Sequence, residues 1–256
     1  MKLNKKRYEN DSFGKIAVPK DCLWGAQTQR SINNFNIGSE VFSNDFIKAF
    51  AMQKKACALA NKDLKVLDNK IASLIIKATD QILKGNLDNQ FPLKIWQTGS
   101  GTQTNMNLNE VISNYANKAS TGKLGTKKPV HPNDHVNASQ SSNDSFPTAM
   151  HVSAVIQIQK KLIPTIKLMI SILQKKTKEF KKIIKIGRTH MQDATPLTLG
   201  NEFSAYTEQI KNDLENIEKS YKKMFFLAQG GTAVGTGINT KKNFDKKIIN
   251  QIKKIT

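Results

Sequence analysis

The chain has 256 residues, 38% of them hydrophobic and 7% aromatic, enough to bury the core of one large or two ordinary domains. Its 40 Lys and Arg against 20 Asp and Glu give a formal charge of +20, yet the only arginines are Arg7, Arg30 and Arg188. Base reading and paired gripping of phosphate favour Arg, and no basic segment is interleaved with aromatics, so the lysines read as solvated faces and no nucleic acid partner is expected. Cys22 and Cys57 stand far apart without a CxxC spacing, which excludes a disulfide framework and leaves both expected as reduced thiols. The opening MKLNKKRYENDSFG leads into no apolar run, and the most hydrophobic stretch, LIPTIKLMISIL from Leu162 to Leu173, is short and carries Lys167. Neither a signal peptide nor a membrane span is expected, and the expected compartment is the cytoplasm.

From about Tyr8 to Asn44 the sequence has Gly14, Pro19, Gly25 and Gly38 and few periodic apolar residues, which predicts irregular structure with short strands at most. Apolar residues at three and four spacing then predict helices over Phe46 to Ala60 and Lys70 to Leu83, and Gly85 to Pro92 reads as the break that ends this helical pair. Asn105 to Lys118 reads as another helix with Met106, Val111, Ile112 and Tyr115 on its inner face. Ser142 to about Lys182 continues the pattern, with Pro147 near its start and Pro164 as an expected kink. From Phe203 the series Tyr206, Ile210, Leu214, Ile217, Tyr221, Met224 and Leu227 makes one stripe of a long helix, and these two long helices, joined by the GRTH loop, should pack as an antiparallel pair. A further helix begins near Asn243, with Phe244, Ile248, Ile249, Ile252 and Ile255 aligned. No repeat and no alternating βαβ pattern is present, so the fold class is mainly α.

Four segments break this Lys-rich helical background: TGSGTQTNMNLNE (Thr98 to Glu110), HPNDHVNASQSSNDSFPTAMH (His131 to His151), IGRTHMQDATPLTLG (Ile186 to Gly200) and AQGGTAVGTGIN (Ala228 to Asn239). Their hydroxyls, amides and backbone N–H groups are the donors that hold a small dianion without a metal. In the first, Gly99 and Gly101 flank Ser100, so the backbone can approach a ligand while Ser100, Thr102 and Thr104 offer hydroxyls; a plain glycine turn with a cap fits equally. It is no P-loop, and AQGGTAVGTG lacks dinucleotide-binding spacing. His131 and His135, four apart beside Asp134, could share a helical face as metal ligands, but Pro132 and Asn133 suggest a turn and no third ligand is evident, so no metal is expected. The run Ser139, Ser141, Ser142, Asn143 and Asp144 is too polar for a core segment and reads as a capped helix N-terminus or an anion cradle. His190, next to Arg188 and Thr189 in a predicted loop, can pass a proton near neutrality; alone it would read as a surface histidine.

Taken together, GSGTQTNMN, HPNDHVNASQSSND, GRTHMQDATPLTLG and LAQGGTAVGTGIN resemble the class II fumarases of the fumarase/aspartase superfamily, from about Phe13 onward. Within that superfamily His190 speaks for a fumarase, because aspartases typically carry Gln at that point. The resemblance implies a metal-free and cofactor-free hydro-lyase that reversibly hydrates fumarate to L-malate, a tricarboxylic-acid-cycle step. Carried over residue by residue, it implies His190 in proton transfer; Ser100, Thr102, Ser141, Ser142, Asn143 and Thr189 around the substrate; and His131, Pro132, Asn133 and Asp134 as a second, peripheral dicarboxylate site. It also implies an N-terminal lyase domain over 1–140, a central helical bundle from 141 to 256, and a homotetramer whose active sites are shared between subunits. Asn201, Lys128 and Ala205 depart mildly from the family. The larger departure is the end at Thr256, before the family's GSSxMPxKxN loop, its remaining bundle helices and its C-terminal domain. The chain is therefore expected to be truncated, with the apolar face of its last helix uncovered. An aspartase-like ammonia-lyase, or a non-catalytic remnant or subunit completed by a separate C-terminal polypeptide, are the alternatives.

Overall fold

The computed structural model describes residues 5–256; the first four residues of the charged N-terminal stretch lie outside the described residues. The chain divides into two compact units, one formed by residues 1–153 with 227–256 and the other by residues 154–226.

The first unit opens with an antiparallel hairpin, β1 (Lys6–Asp11) and β2 (Gly14–Pro19), in register from Lys6 opposite Pro19 to Asp11 opposite Gly14. Helices α1 (Ala26–Asn34), α2 (Asn44–Asp63), α3 (Asn69–Leu83) and α4 (Thr102–Thr121) come next. Side chains that capture the first free N–H groups start two of them: Ser43 accepts from Phe46 N in α2, and Asp68 accepts from Ile71 N at 2.8 Å in α3. The predicted periodicity places Ile71, Ile75 and Ile82 of α3 in the core, with Phe46 and Phe50 of α2 and Leu108, Val111 and Ile112 of α4. Each such side chain taken fully out of water contributes about 1.5–3 kcal/mol. Phe42, Phe46, Phe50 and Phe146 form an aromatic cluster with centroids 4.8–6.1 Å apart, tying α2 to the start of α5 (Ser142–Gln157).

Two expectations are corrected here. The stretch Tyr8 to Asn44 holds helix α1, which its own sequence hardly announces: AQTQRSINN has almost no apolar stripe, and its N-terminus is capped from 85 residues away, Glu110 accepting from the amides of Gly25, Gln27 and Thr28 at 2.8–3.1 Å and from the Thr28 hydroxyl at 2.6 Å. The last helix, α8 (Phe244–Ile255), does not leave its apolar face bare, because Phe244, Ile248 and Ile252 are buried and α8 packs against α2.

In the second unit, α6 (Ile163–Glu179) comes after a π-helical stretch, Ile158–Leu162; Pro164, which cannot donate to the preceding turn, lies just beyond that stretch as the expected break in regularity. Helix α7 (Leu199–Ser220) begins with a reciprocal cap between Thr198 and Asn201 and ends in a 3₁₀ turn, Tyr221–Phe225, so the predicted stripe outruns the helix. The pair is antiparallel: Phe180 meets Phe203 at 5.1 Å near one end, and Lys167 meets Glu218 at 3.2 Å near the other. What joins them is not a loop. It is a second hairpin, β3 (Ile184–Thr189) and β4 (Gln192–Thr198), with a bulge between Ile186 and Arg188. Among the described residues no helix is long and apolar enough to cross a membrane, and both cysteines are free.

Candidate active site

Motif by motif, the first unit gathers three of the four polar segments. At the entrance of α4, Gly101 has φ of 70°, and a Cβ there would lie 2.2 Å from the Phe146 ring, so both backbone angle and space demand glycine. The hydroxyls of Thr98, Ser100 and Thr102 line up along this turn, 3.3 and 3.0 Å apart, and Ser100 and Thr102 are exposed. Thr104 is not with them: it faces inward, donating to Gln97.

The serine-rich segment differs from its expectation as well. Polarity argues against a core position, yet Asp144 and Ser145 are buried. The physical reason is full pairing. Asp144 Oδ2 accepts from Gln229 Nε2 at 3.0 Å and from the amides of Gly230 and Thr232 at 3.1 and 2.9 Å, while Oδ1 accepts from Ser141 N at 3.0 Å. One carboxylate therefore fixes the glycine-rich segment 228–239 against the start of α5. Asn143 adds a bond from its amide to Ala233 O at 2.8 Å, and the Ser141 hydroxyl accepts from Asn143 N.

Beneath these segments lies a cation that sequence reasoning misses. Lys54 of α2 is completely buried, and its ammonium donates to Asn105 Oδ1 (2.6 Å), Asn137 Oδ1 (3.0 Å) and Gln140 Oε1 (3.0 Å), with the Phe50 ring 5.5 Å away. Burial pushes its pKa down to about 7, against the pull of Cys57 and Asp144. The same burial drives the Cys57 thiol up and raises the Glu110 carboxyl despite its four donors. The only sequence signal for Lys54 is position, one lysine on the inner side of the small-residue run AFAMQKKACALA.

His131, Pro132 and Asn133 line a cleft of about 390 Å³ together with Thr102, Glu110 and Lys127; Asp134 is exposed and Lys128 does not reach the cleft. The π-helical turn Pro132–Val136 is capped by the His131 imidazole, whose Nδ1 accepts from the amides of Asn133 and Asp134 at 3.3 and 3.1 Å. Asp134 Oδ2 is also 3.2 Å from that nitrogen, but two N–H groups already point at it, so the contact is no ion pair. Burial, chiefly, holds the His131 pKa below its usual value. His135 Nδ1 likewise accepts from a backbone amide, that of His131, at 2.9 Å. A larger, open depression of about 830 Å³ runs between segment 227–241 and α8 and carries none of the predicted hydroxyls.

Thr189 and His190 belong to the second unit. His190 and Met191 form the two-residue tip between β3 and β4, with φ of 48° and 60°, and Met191 is fully exposed. A two-residue hairpin turn with both φ positive normally takes Asn and Gly, so a His–Met tip holds backbone strain of the sort found at working sites. The Thr189 hydroxyl is 3.1 Å from His190 Nδ1.

The first unit thus holds donor-rich helix entrances above a buried cation, and the second, taken by itself, carries an exposed imidazole at a hairpin tip. The family model described as "Lyase" matches residues 14–256, and the chain belongs to that family. Within it, the chain is similar to class II fumarate hydratases: it is 56% identical over 250 residues to the "Fumarate hydratase class II" of Rickettsia conorii, covering 98% of this chain and 54% of that protein. It is 55% identical to the "Fumarate hydratase, mitochondrial" of Saccharomyces cerevisiae, covering 98% of this chain and 51% of the other. Among solved structures, the class II fumarase of Schistosoma mansoni superposes with a TM-score of 0.94 at 43% identity over 98% of this chain and 53% of that one. The chain spans about half the length of the relatives it matches.

Proposed function

We propose that this chain carries most of the substrate-holding part of a fumarate hydratase and takes part in the reversible addition of water to fumarate, giving L-malate. The observation that carries the reading is the set of hydroxyls at two helix entrances, the exposed and mutually bonded Ser100 and Thr102 at α4 and the half-buried Ser142 at α5, beside Gly101 and Asp144. In the malate direction a proton leaves a carbon next to a carboxylate and charge gathers on that carboxylate; donors aimed there stabilise the transition state more than the ground state. In this reading Ser100, Thr102, Ser141, Ser142, Asn143 and Thr189 hold the substrate, His190 relays a proton through water, and His131, Pro132, Asn133 and Asp134 make a peripheral dicarboxylate site. The domain limits proposed with it are 1–140 and 141–256. Assembly into a homotetramer in the cytoplasm is part of the same proposal; the exposed Leu168, Met169, Ile172 and Tyr206 of α6 and α7 support an assembly.

Loss of fumarate's ultraviolet absorbance, monitored with the purified chain and with His190→Asn beside it, tests the reading. Turnover abolished in the variant supports it. Turnover by neither chain, even when residues corresponding to the rest of a relative are added as a separate polypeptide, would overturn it.

A further inference from the structure

Buried ammonium groups are rare because removing one from water is costly, and those that persist are surrounded by acceptors. Lys54 has three, Asn105 Oδ1, Asn137 Oδ1 and Gln140 Oε1, which matches the three hydrogens of a charged ammonium, and the ammonium is the one donor given for Asn105 Oδ1. The shortest of these bonds, 2.6 Å, runs to Asn105 on α4, three residues after Thr102. The Asn105 amide nitrogen in turn donates to Asn137 Oδ1 at 3.1 Å and to Ser142 Oγ at 3.3 Å. Both its hydrogens are thereby used, and Ser142, half-buried at the start of α5, is fixed as an acceptor from below. Its own O–H is left to donate away from the amide. Chains of this kind strengthen one another, because the cation polarises the amide and the amide the hydroxyl.

From this arrangement we infer that Lys54 is a positioning residue that acts through Asn105 to orient the Ser142 hydroxyl toward a bound carboxylate. The inference rests on the dicarboxylate reading of the site and adds a buried residue to it. Its titration near neutrality, against Asp144 of α5 and Cys57 of α2 as the groups facing it, makes the relay dependent on pH.

The test is binding of succinate, an unreactive four-carbon dicarboxylate, to the purified chain between pH 6 and 9. Wild type is expected to weaken about tenfold across this range. Lys54→Met and Ser142→Ala should each weaken binding about tenfold at pH 6, and the double variant no further, since both break one chain of bonds. Additive losses, or a wild-type affinity flat with pH, would overturn the relay. Should wild type bind no succinate even with the rest of a relative added as a separate polypeptide, the dicarboxylate reading falls by itself, and the Asn105 side-chain amide resonances decide the relay: shifting with a midpoint near pH 7 in wild type and static in Lys54→Met supports it, static in both overturns it. The wild-type measurements hold even if the variants fail to fold.

Discussion

The two units bury opposite things. Residues 1–153 with 227–256 take a lysine, an aspartate, two glutamates and a row of asparagines into their interior and give nearly every polar atom a partner. Residues 154–226 bury only Ile163, Gly200 and Thr207, and leave Leu168, Met169 and Ile172 in water. The first unit satisfies its buried polar groups from within; the second leaves a stripe of large apolar residues uncovered by its own side chains.

The largest expected effect comes from breaking the internally paired side of this contrast. Asp144→Ala strips the acceptor from Gln229, Gly230 and Thr232 at once, and denaturant unfolding should show a loss of about 3–5 kcal/mol, with segment 228–239 becoming open to protease. Gly101→Ala should lose about 2–3 kcal/mol, read as a lower Tm, because the added methyl meets the Phe146 ring at a positive φ. Lys54 supplies a third effect. Its folded pKa of about 7 lies below that of an unfolded lysine, so the unfolded chain holds the extra proton between those values and native stability should rise with pH from about 7 upward, by at most ~1.4 kcal/mol per pH unit. Above about pH 8.5 Cys57 opposes this, since burial keeps its thiol protonated when the unfolded thiol ionises. The slope assigned to Lys54 is therefore the difference from Lys54→Met between pH 7 and 8.5. On the exposed side, Lys211→Ala breaks a 2.6 Å pair with Glu208 and should change stability by less than about 0.5 kcal/mol, a shift near the limit of a thermal melt.

The same contrast governs what is legible in the sequence. Helices α2, α3, α4 and α8 are legible because each buries a stripe at helical spacing, and the glycine-flanked and serine-rich motifs are legible because so many hydroxyls rarely gather without a task. Helix α1 is not, since the residue that starts it, Glu110, lies far along the chain. The second hairpin escapes notice because His190 and Met191 occupy a turn that ordinarily announces itself with Asn and Gly. Lys54 and Asp144 are hidden by their own chemistry: charge predicts exposure, and only the positions of Asn105, Asn137, Gln140 and Gln229 reverse it.

The packing of α8 on α2 has a further consequence for biosynthesis. A ribosome releases α2 early, but Phe244, Ile248 and Ile252 emerge only after all of residues 154–226 have been made. Until then Gln229 and the amides of Gly230 and Thr232 that hold Asp144 are missing as well, so the first unit cannot close in the order in which it is written, and its partly charged interior stays unsealed until residues 227–256 emerge.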